Sequence, residues 1–224
     1  MIVKIKRQRS SDTSCYWQSF EYNGAKHVTV SAILDALNYT DDLFDVEGKP
    51  APRIRWECSC MQSVCGGCAM VINGKPALAC ATYVDEIKGN ELILEPLSKF
   101  PVIADLIVDR SIIYDNLVKA KAHLDTIAES NKKHHKQQYS VAKCLKCGLC
   151  LEVCPNYHAG AEFYGAILAN ESYLIASQSA DKNPQITKEY KKHFSAGCSK
   201  ALSCQQVCPA GIETLTSILR MNRK

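Results

Sequence analysis

A chain of 224 residues is long enough for one large domain or two small ones, at roughly 100 to 200 residues each. Its 27 basic and 23 acidic side chains leave a scattered net charge of +4, which gives none of the single-sign patch that nucleic acid would need. No run reaches the roughly 18 to 20 consecutive apolar residues of a spanning helix. The basic start MIVKIKRQRS leads to no apolar signal core, so the chain is expected neither to cross a membrane nor to be secreted by itself.

Alternation at Met1, Val3 and Ile5, then at Tyr16, Gln18, Phe20 and Tyr22, predicts two opening strands. Val30, Ile33, Leu34 and Leu37 recur at helical spacing after Thr29 and Ser31, either of which can cap a helix. Between Ala69 and Val84 the pattern reads strand, turn, strand around Asn73-Gly74, a pair that tolerates positive φ. Residues 91–94 add a strand. Together these predict a small mixed sheet wrapped on a helix, a domain over residues 1–98. After Pro101, Val102, Ile103, Leu106 and Ile107, then Ile112, Ile113, Leu117 and Val118, fall near a 3.6 period and predict a helical domain over 99–224. Further helices are expected around 161–169 and 212–220. The polar, basic run at 131–138 reads as a solvated connection.

The cysteines number thirteen. An odd count in a chain without secretion signals speaks against a disulfide framework and for metal ligation. Cys60, Cys65 and Cys68 form C-x4-C-x2-C, with Cys80 after eleven residues, the plant-type ferredoxin spacing for a 2Fe-2S cluster. Gly66 and Gly67 between two of these ligands suit a loop that must turn tightly and bring amides near sulfur. A four-cysteine zinc site is the competing reading, yet zinc usually takes paired C-x2-C knuckles, and this region has one.

Cys144, Cys147, Cys150 and Cys154 followed by Pro155 reproduce the bacterial ferredoxin run, whose fourth cysteine ligates the other cluster. A second run, Cys198, Ala201, Cys204, Cys208 and Pro209, keeps the spacing but has alanine at the second position. Crossing over the fourth ligands puts Cys144, Cys147, Cys150 and Cys208 on a 4Fe-4S cluster. It leaves Cys154, Cys198 and Cys204 for a cluster with one corner lacking a thiolate, which suits 3Fe-4S. These constellations use eleven of the thirteen cysteines and leave Cys15 and Cys58 outside. Leu145, Leu149, Val153, Leu202 and Val207 interleave the ligands and would exclude water. None of the six histidines has paired metal spacing.

The sequence offers no glycine-rich nucleotide loop and no acid–base constellation. Three clusters without a substrate site make sense as stepping stones for single electrons between a two-electron site on a partner and another carrier. A zinc-stabilised interaction protein is the reading from a different class.

The chain resembles the iron-sulfur subunits of succinate dehydrogenases and fumarate reductases along essentially its whole length. The residues that carry this are LDALN at 34–38, WECSCMQSVCGGCAMVINGKPALAC at 56–80, LEPLSKFPVIADLIVDRS at 94–111, CLKCGLCLEVCPN at 144–156 and GCSKALSCQQVCPAGI at 197–212. The resemblance implies an α+β chain: a plant-ferredoxin-like β-grasp domain, then an all-α bacterial-ferredoxin-like domain. It also implies an electron path from FAD on a flavoprotein subunit through 2Fe-2S, 4Fe-4S and 3Fe-4S to quinone or haem in a membrane anchor. The phrases WECSC, VCGGCAMVINGKP and CPAGIETLTSI look most like the branch whose anchor is a single dihaem cytochrome b using menaquinone, which would hold this chain at the cytoplasmic face of the cell membrane. A related flavoenzyme, such as a thiol-linked fumarate reductase, is the nearest alternative.

Overall fold

In Ile2–Arg7 (β1) every second side chain turns inward, so Val3, Ile5 and Arg7 are buried, as the two-residue period of a strand requires. Antiparallel pairing with Tyr16–Glu21 (β2) sets Val3 opposite Phe20. The computed structural model describes residues 1–40, 42–129 and 133–223. After β2 the chain forms Val30–Asn38 (α1), where the Thr29 hydroxyl accepts from the Ala32 amide at 3.3 Å and so caps the first turn. Two short strands, Leu43–Phe44 (β3) and Pro50–Ala51 (β4), pair with each other. A hairpin of Ala69–Ile72 (β5) and Lys75–Leu78 (β6) turns at Asn73 and Gly74, with φ of +45° and +75°. Glu91–Glu95 (β7) then inserts parallel to β1, completing a five-stranded mixed sheet in the order β2-β1-β7-β5-β6. Val3, Ile5, Phe20, Ile33, Leu34, Leu92 and Leu94 are wholly buried and make the core of this unit.

The segment after Pro101 differs from the helix read there. Val102–Ala104 (β8) and Ile107–Val108 (β9) form a hairpin bent at Asp105, which has φ +47°. Its apolar residues match a helical period by accident, while Asp105 holds a left-handed position that a helix cannot contain. Helix begins only at Ser111–Lys119 (α2), and the two compact units divide at Asp109/Arg110 rather than at 98/99.

Asp105 is also the clamp of the first unit. Its carboxylate accepts from the amides of Gln8 and Arg55, both at 2.9 Å, and lies 3.0 Å from Arg7 Nε as a charge pair rather than an aligned hydrogen bond. The Arg7 guanidinium, 1 % exposed, also donates to Gln18 Oε1 and to the carbonyls of Pro52 and Arg53. Asn38, the last residue of α1, makes two 2.8 Å bonds with the backbone of Ile54. The stretch that leads into the first cysteine loop is therefore held from three sides. Because truncating Arg7 would leave a buried carboxylate uncompensated, Arg7→Ala should lower stability by about 3–5 kcal/mol, read as a fall in the denaturation midpoint.

The second unit adds His135–Ala142 (α3), Leu149–Glu152 (α4), Gly165–Gln178 (α5), Pro184–Tyr190 (α6) continuing into a π-turn over Lys191–Ser195, Ser203–Gln206 (α7) and Thr214–Met221 (α8). Helix α5 is buried around most of its circumference, as a central helix must be, and it touches α3, α4, α6 and α8. Leu168, Ile175, Ile186, Tyr190, Phe194 and Ile218 form its main apolar cluster. The helix expected at 161–169 thus starts at Gly165 and runs on to Gln178. The basic run at 131–138 is helical from His135, and its Gln138 is buried with two bonds to Ser177; residues 131 and 132 lie outside the described residues. Among the described residues no helix is long and apolar enough to cross a membrane.

Candidate metal centres

In the first unit, the loop that carries Cys60, Cys65 and Cys68 turns through three left-handed residues, Met61 at +53°, Ser63 at +62° and Gly66 at +76°. Such turns gather successive N–H groups on one side, a concavity suited to anionic groups. Accordingly the amides of Gln62 and Val64 donate to Cys60 Sγ at 3.3 and 3.4 Å, and that of Gly67 to Cys65 Sγ at 3.5 Å. Those two amides hold the Cys60 thiol down at about 7, a value that favours the thiolate a metal needs. Cys80, on the turn after β6, brings its Sγ within 3.3 Å of Cys68 Sγ and its amide within 3.5 Å of the same sulfur. Burial pushes Cys68 the other way, to about 12, so charge on this sulfur calls for a cation beside it. Of the two glycines singled out in this loop, Gly66 is demanded by its φ. Gly67 is not, since a Cβ there would meet its nearest atom, Cys65 Sγ, at an ordinary 3.7 Å.

The two cysteine runs of the second unit share one backbone. In the first, Lys146 and Gly148 take φ of +53° and +88°, and α4 follows; in the second, Lys200 and Leu202 take +60° and +59°, and α7 follows. Position for position, Ala201 stands where Cys147 does. Cys147 is 8 % exposed, whereas Ala201 is exposed. The Asn156 side chain, just past Cys154-Pro155, donates to the carbonyl of Gly197 and so ties the end of the first run to the start of the second.

Cys144, Cys147, Cys150 and Cys208 line one hollow together with Cys204, Leu145, Ile167, Asn170 and Thr214. The amide of Ile212 donates to Cys208 Sγ at 3.5 Å. Burial drives the Cys150 thiol well up, and the neighbouring Cys147, Cys144, Cys204 and Cys208 add to it. Burial likewise raises Cys204, and the neighbouring Cys154 and Cys198 add to it. The hollow thus brings Cys204 and Cys208 of the second run to three cysteines of the first. Sulfurs ringing a hollow and amides aimed at sulfur fit a larger inorganic group with acceptor sulfurs. Cys15 is exposed and outside these groups, and Cys58 is exposed beside Cys65 and Cys80.

Spacing alone did not point to Gly165. It has φ +73°, and a Cβ there would lie 2.3 Å from Leu151 Cδ2 of α4. The start of α5 thus presses on the helix that follows Cys147, and a Cβ there would have to displace the buried Leu151 side chain. A left-handed alanine costs about 1–2 kcal/mol and an overpacked contact about 1–3. Gly165→Ala should therefore destabilise the unit by about 2–5 kcal/mol in denaturant titration and lower the iron retained on purification.

Residues 2–115 match the 2Fe-2S iron-sulfur cluster binding domain family, and residues 140–212 match the 4Fe-4S dicluster domain family. The succinate dehydrogenase iron-sulfur subunit of Bacillus subtilis is 31 % identical over 98 % of this chain and 90 % of its own length. The fumarate reductase iron-sulfur subunit of Haemophilus influenzae is 29 % identical over 84 % of this chain and 79 % of its own. A chain of the Mycobacterium smegmatis Sdh1 complex in the apo form shares the fold, with a TM-score of 0.74 at 19 % identity over 98 % of this chain and 94 % of that one. Two cluster-binding domains in this order, together with relatives matched nearly end to end, place the chain in the family of succinate dehydrogenase and fumarate reductase iron-sulfur subunits, with an electron-transfer role.

Proposed function

We propose that the chain passes single electrons between FAD on a flavoprotein subunit and quinone or haem in a membrane anchor. Cys60, Cys65, Cys68 and Cys80 would hold the 2Fe-2S cluster, Cys144, Cys147, Cys150 and Cys208 the 4Fe-4S cluster, and Cys154, Cys198 and Cys204 a 3Fe-4S cluster. The clusters, when bound, supply one-electron redox chemistry. The protein's part is to supply thiolates, aim amides at sulfur, and keep water out with side chains such as Leu149, which is 1 % exposed.

The observation that supports this reading is that Cys208, the last cysteine of the second run, lines the hollow of Cys144, Cys147 and Cys150. A ferredoxin-type pair of clusters exchanges its fourth ligands in this way, whereas two separate knuckle sites would not. Within the family, the motif phrases favour an anchor that is a single dihaem cytochrome b using menaquinone, with this chain at the cytoplasmic face of the membrane.

The test is EPR of the anaerobically purified complex, oxidised and then reduced by succinate, with iron and acid-labile sulfide assayed alongside. Three distinct centres and about nine irons per chain are expected. Zinc without labile sulfide, or centres that succinate cannot reduce, would overturn the reading.

A further inference from the structure

Asn170, on α5, is 4 % exposed and lines the same hollow as Cys144, Cys147, Cys150 and Cys208. Its Nδ2 lies 3.1 Å from Thr214 Oγ1, and its Oδ1 is buried with no hydrogen-bond partner. Thr214, the first residue of α8, is 2 % exposed and on the same wall. A buried amide oxygen without a partner is costly. A hydroxyl, however, can donate as well as accept, and half a turn of the carboxamide exchanges its oxygen and nitrogen. In that arrangement the Thr214 hydroxyl donates to Oδ1, and the Nδ2 hydrogens are free to donate into the hollow, where sulfur is the abundant acceptor.

We propose that the Asn170 carboxamide, set in orientation by Thr214, donates a hydrogen bond to sulfur of the 4Fe-4S centre and raises its reduction potential. This rests on the ligand assignment proposed above. Reduction adds one negative charge, which spreads onto the sulfurs, and a donor aimed at them stabilises the reduced form more than the oxidised one. Burial strengthens the effect, because little water is present to screen it. Asn170 is thus a tuning residue on the wall of the centre, distinct from the ligands.

A tether between α5 and α8 is the competing role, and it would alter stability without altering the potential. The experiment is a redox titration of the intact complex followed by EPR, on wild type, Asn170→Leu, Thr214→Val and Ser172→Ala. Asn170→Leu should shift the reduced-to-oxidised ratio about tenfold toward oxidised at fixed potential, a fall of about 59 mV for one electron. Thr214→Val keeps the volume but removes the orienting hydroxyl, and should shift the potential by less in the same direction. Ser172→Ala removes another buried polar group of the same helix that is not on this wall, and should leave the potential where it is. An unmoved potential in Asn170→Leu with the four-iron signal at full strength would overturn the role of Asn170 and leave the ligand assignment standing. Absence of a four-iron signal from wild type would remove the ligand assignment itself. Should Asn170→Leu fail to assemble, Thr214→Val decides, and a wild-type potential there also overturns the proposal.

Discussion

Ala201→Cys is expected to raise the iron content from about nine to about ten atoms per chain and to remove the EPR signal of the oxidised three-iron centre. The left-handed pairs Lys146/Gly148 and Lys200/Leu202, each followed by one short helix, give residue 201 the same local backbone as residue 147. A thiolate at 201 would therefore approach the open corner of the second group as Cys147 approaches its own. Because Ala201 is exposed, the added side chain meets no packed wall, and the substitution should cost less than about 0.5 kcal/mol of stability, as surface changes generally do. Iron analysis and EPR at matched protein concentration read the result. A three-iron signal persisting at full intensity would show that Cys154, Cys198 and Cys204 do not share a centre with position 201.

Cys208→Ala and Cys154→Ala should have crossed effects. Loss of Cys208 removes a corner from the group in the hollow, so the four-iron signal disappears and about four irons are lost. Loss of Cys154 should instead abolish the three-iron signal, with about three irons lost. If each cysteine served the cluster of its own run, the two outcomes would be exchanged. Cluster loss also leaves Cys147 as a buried thiol, pushed up to about 11 by burial, with no metal to ligate. The unit would then lose binding energy that stabilises its fold.

The two cluster-binding domains were legible in the sequence because cluster ligation is written in cysteine spacing, and spacing survives whatever surrounds it. The sheet was legible for a similar reason: β1, β5, β6 and β7 each carry an alternation or a turn pair that local chemistry dictates. The stretch from Val102 to Ile107 was misread because its apolar residues suit two periods, and the deciding residue, Asp105, acts through amides of Gln8 and Arg55 far away in the chain. Helix α3 was hidden in a basic run because its burial comes from Gln138 and Val141 packing on neighbours, which composition does not show. The role of Arg7 was not legible in the basic start of the chain. The strand register turns Arg7 inward, toward the Asp105 carboxylate.

The anchoring at Asp105, Arg7 and Asn38 has a bearing on the speed of electron exchange. It fixes the base of the first cysteine loop, and the amides of Gln62, Val64 and Gly67 already point at sulfur. Dipoles set in place by the fold do not have to swing round when charge arrives. The loop thus keeps the nuclear reorganisation that accompanies each electron small, although its tip residues Met61 and Val64 lie open to solvent.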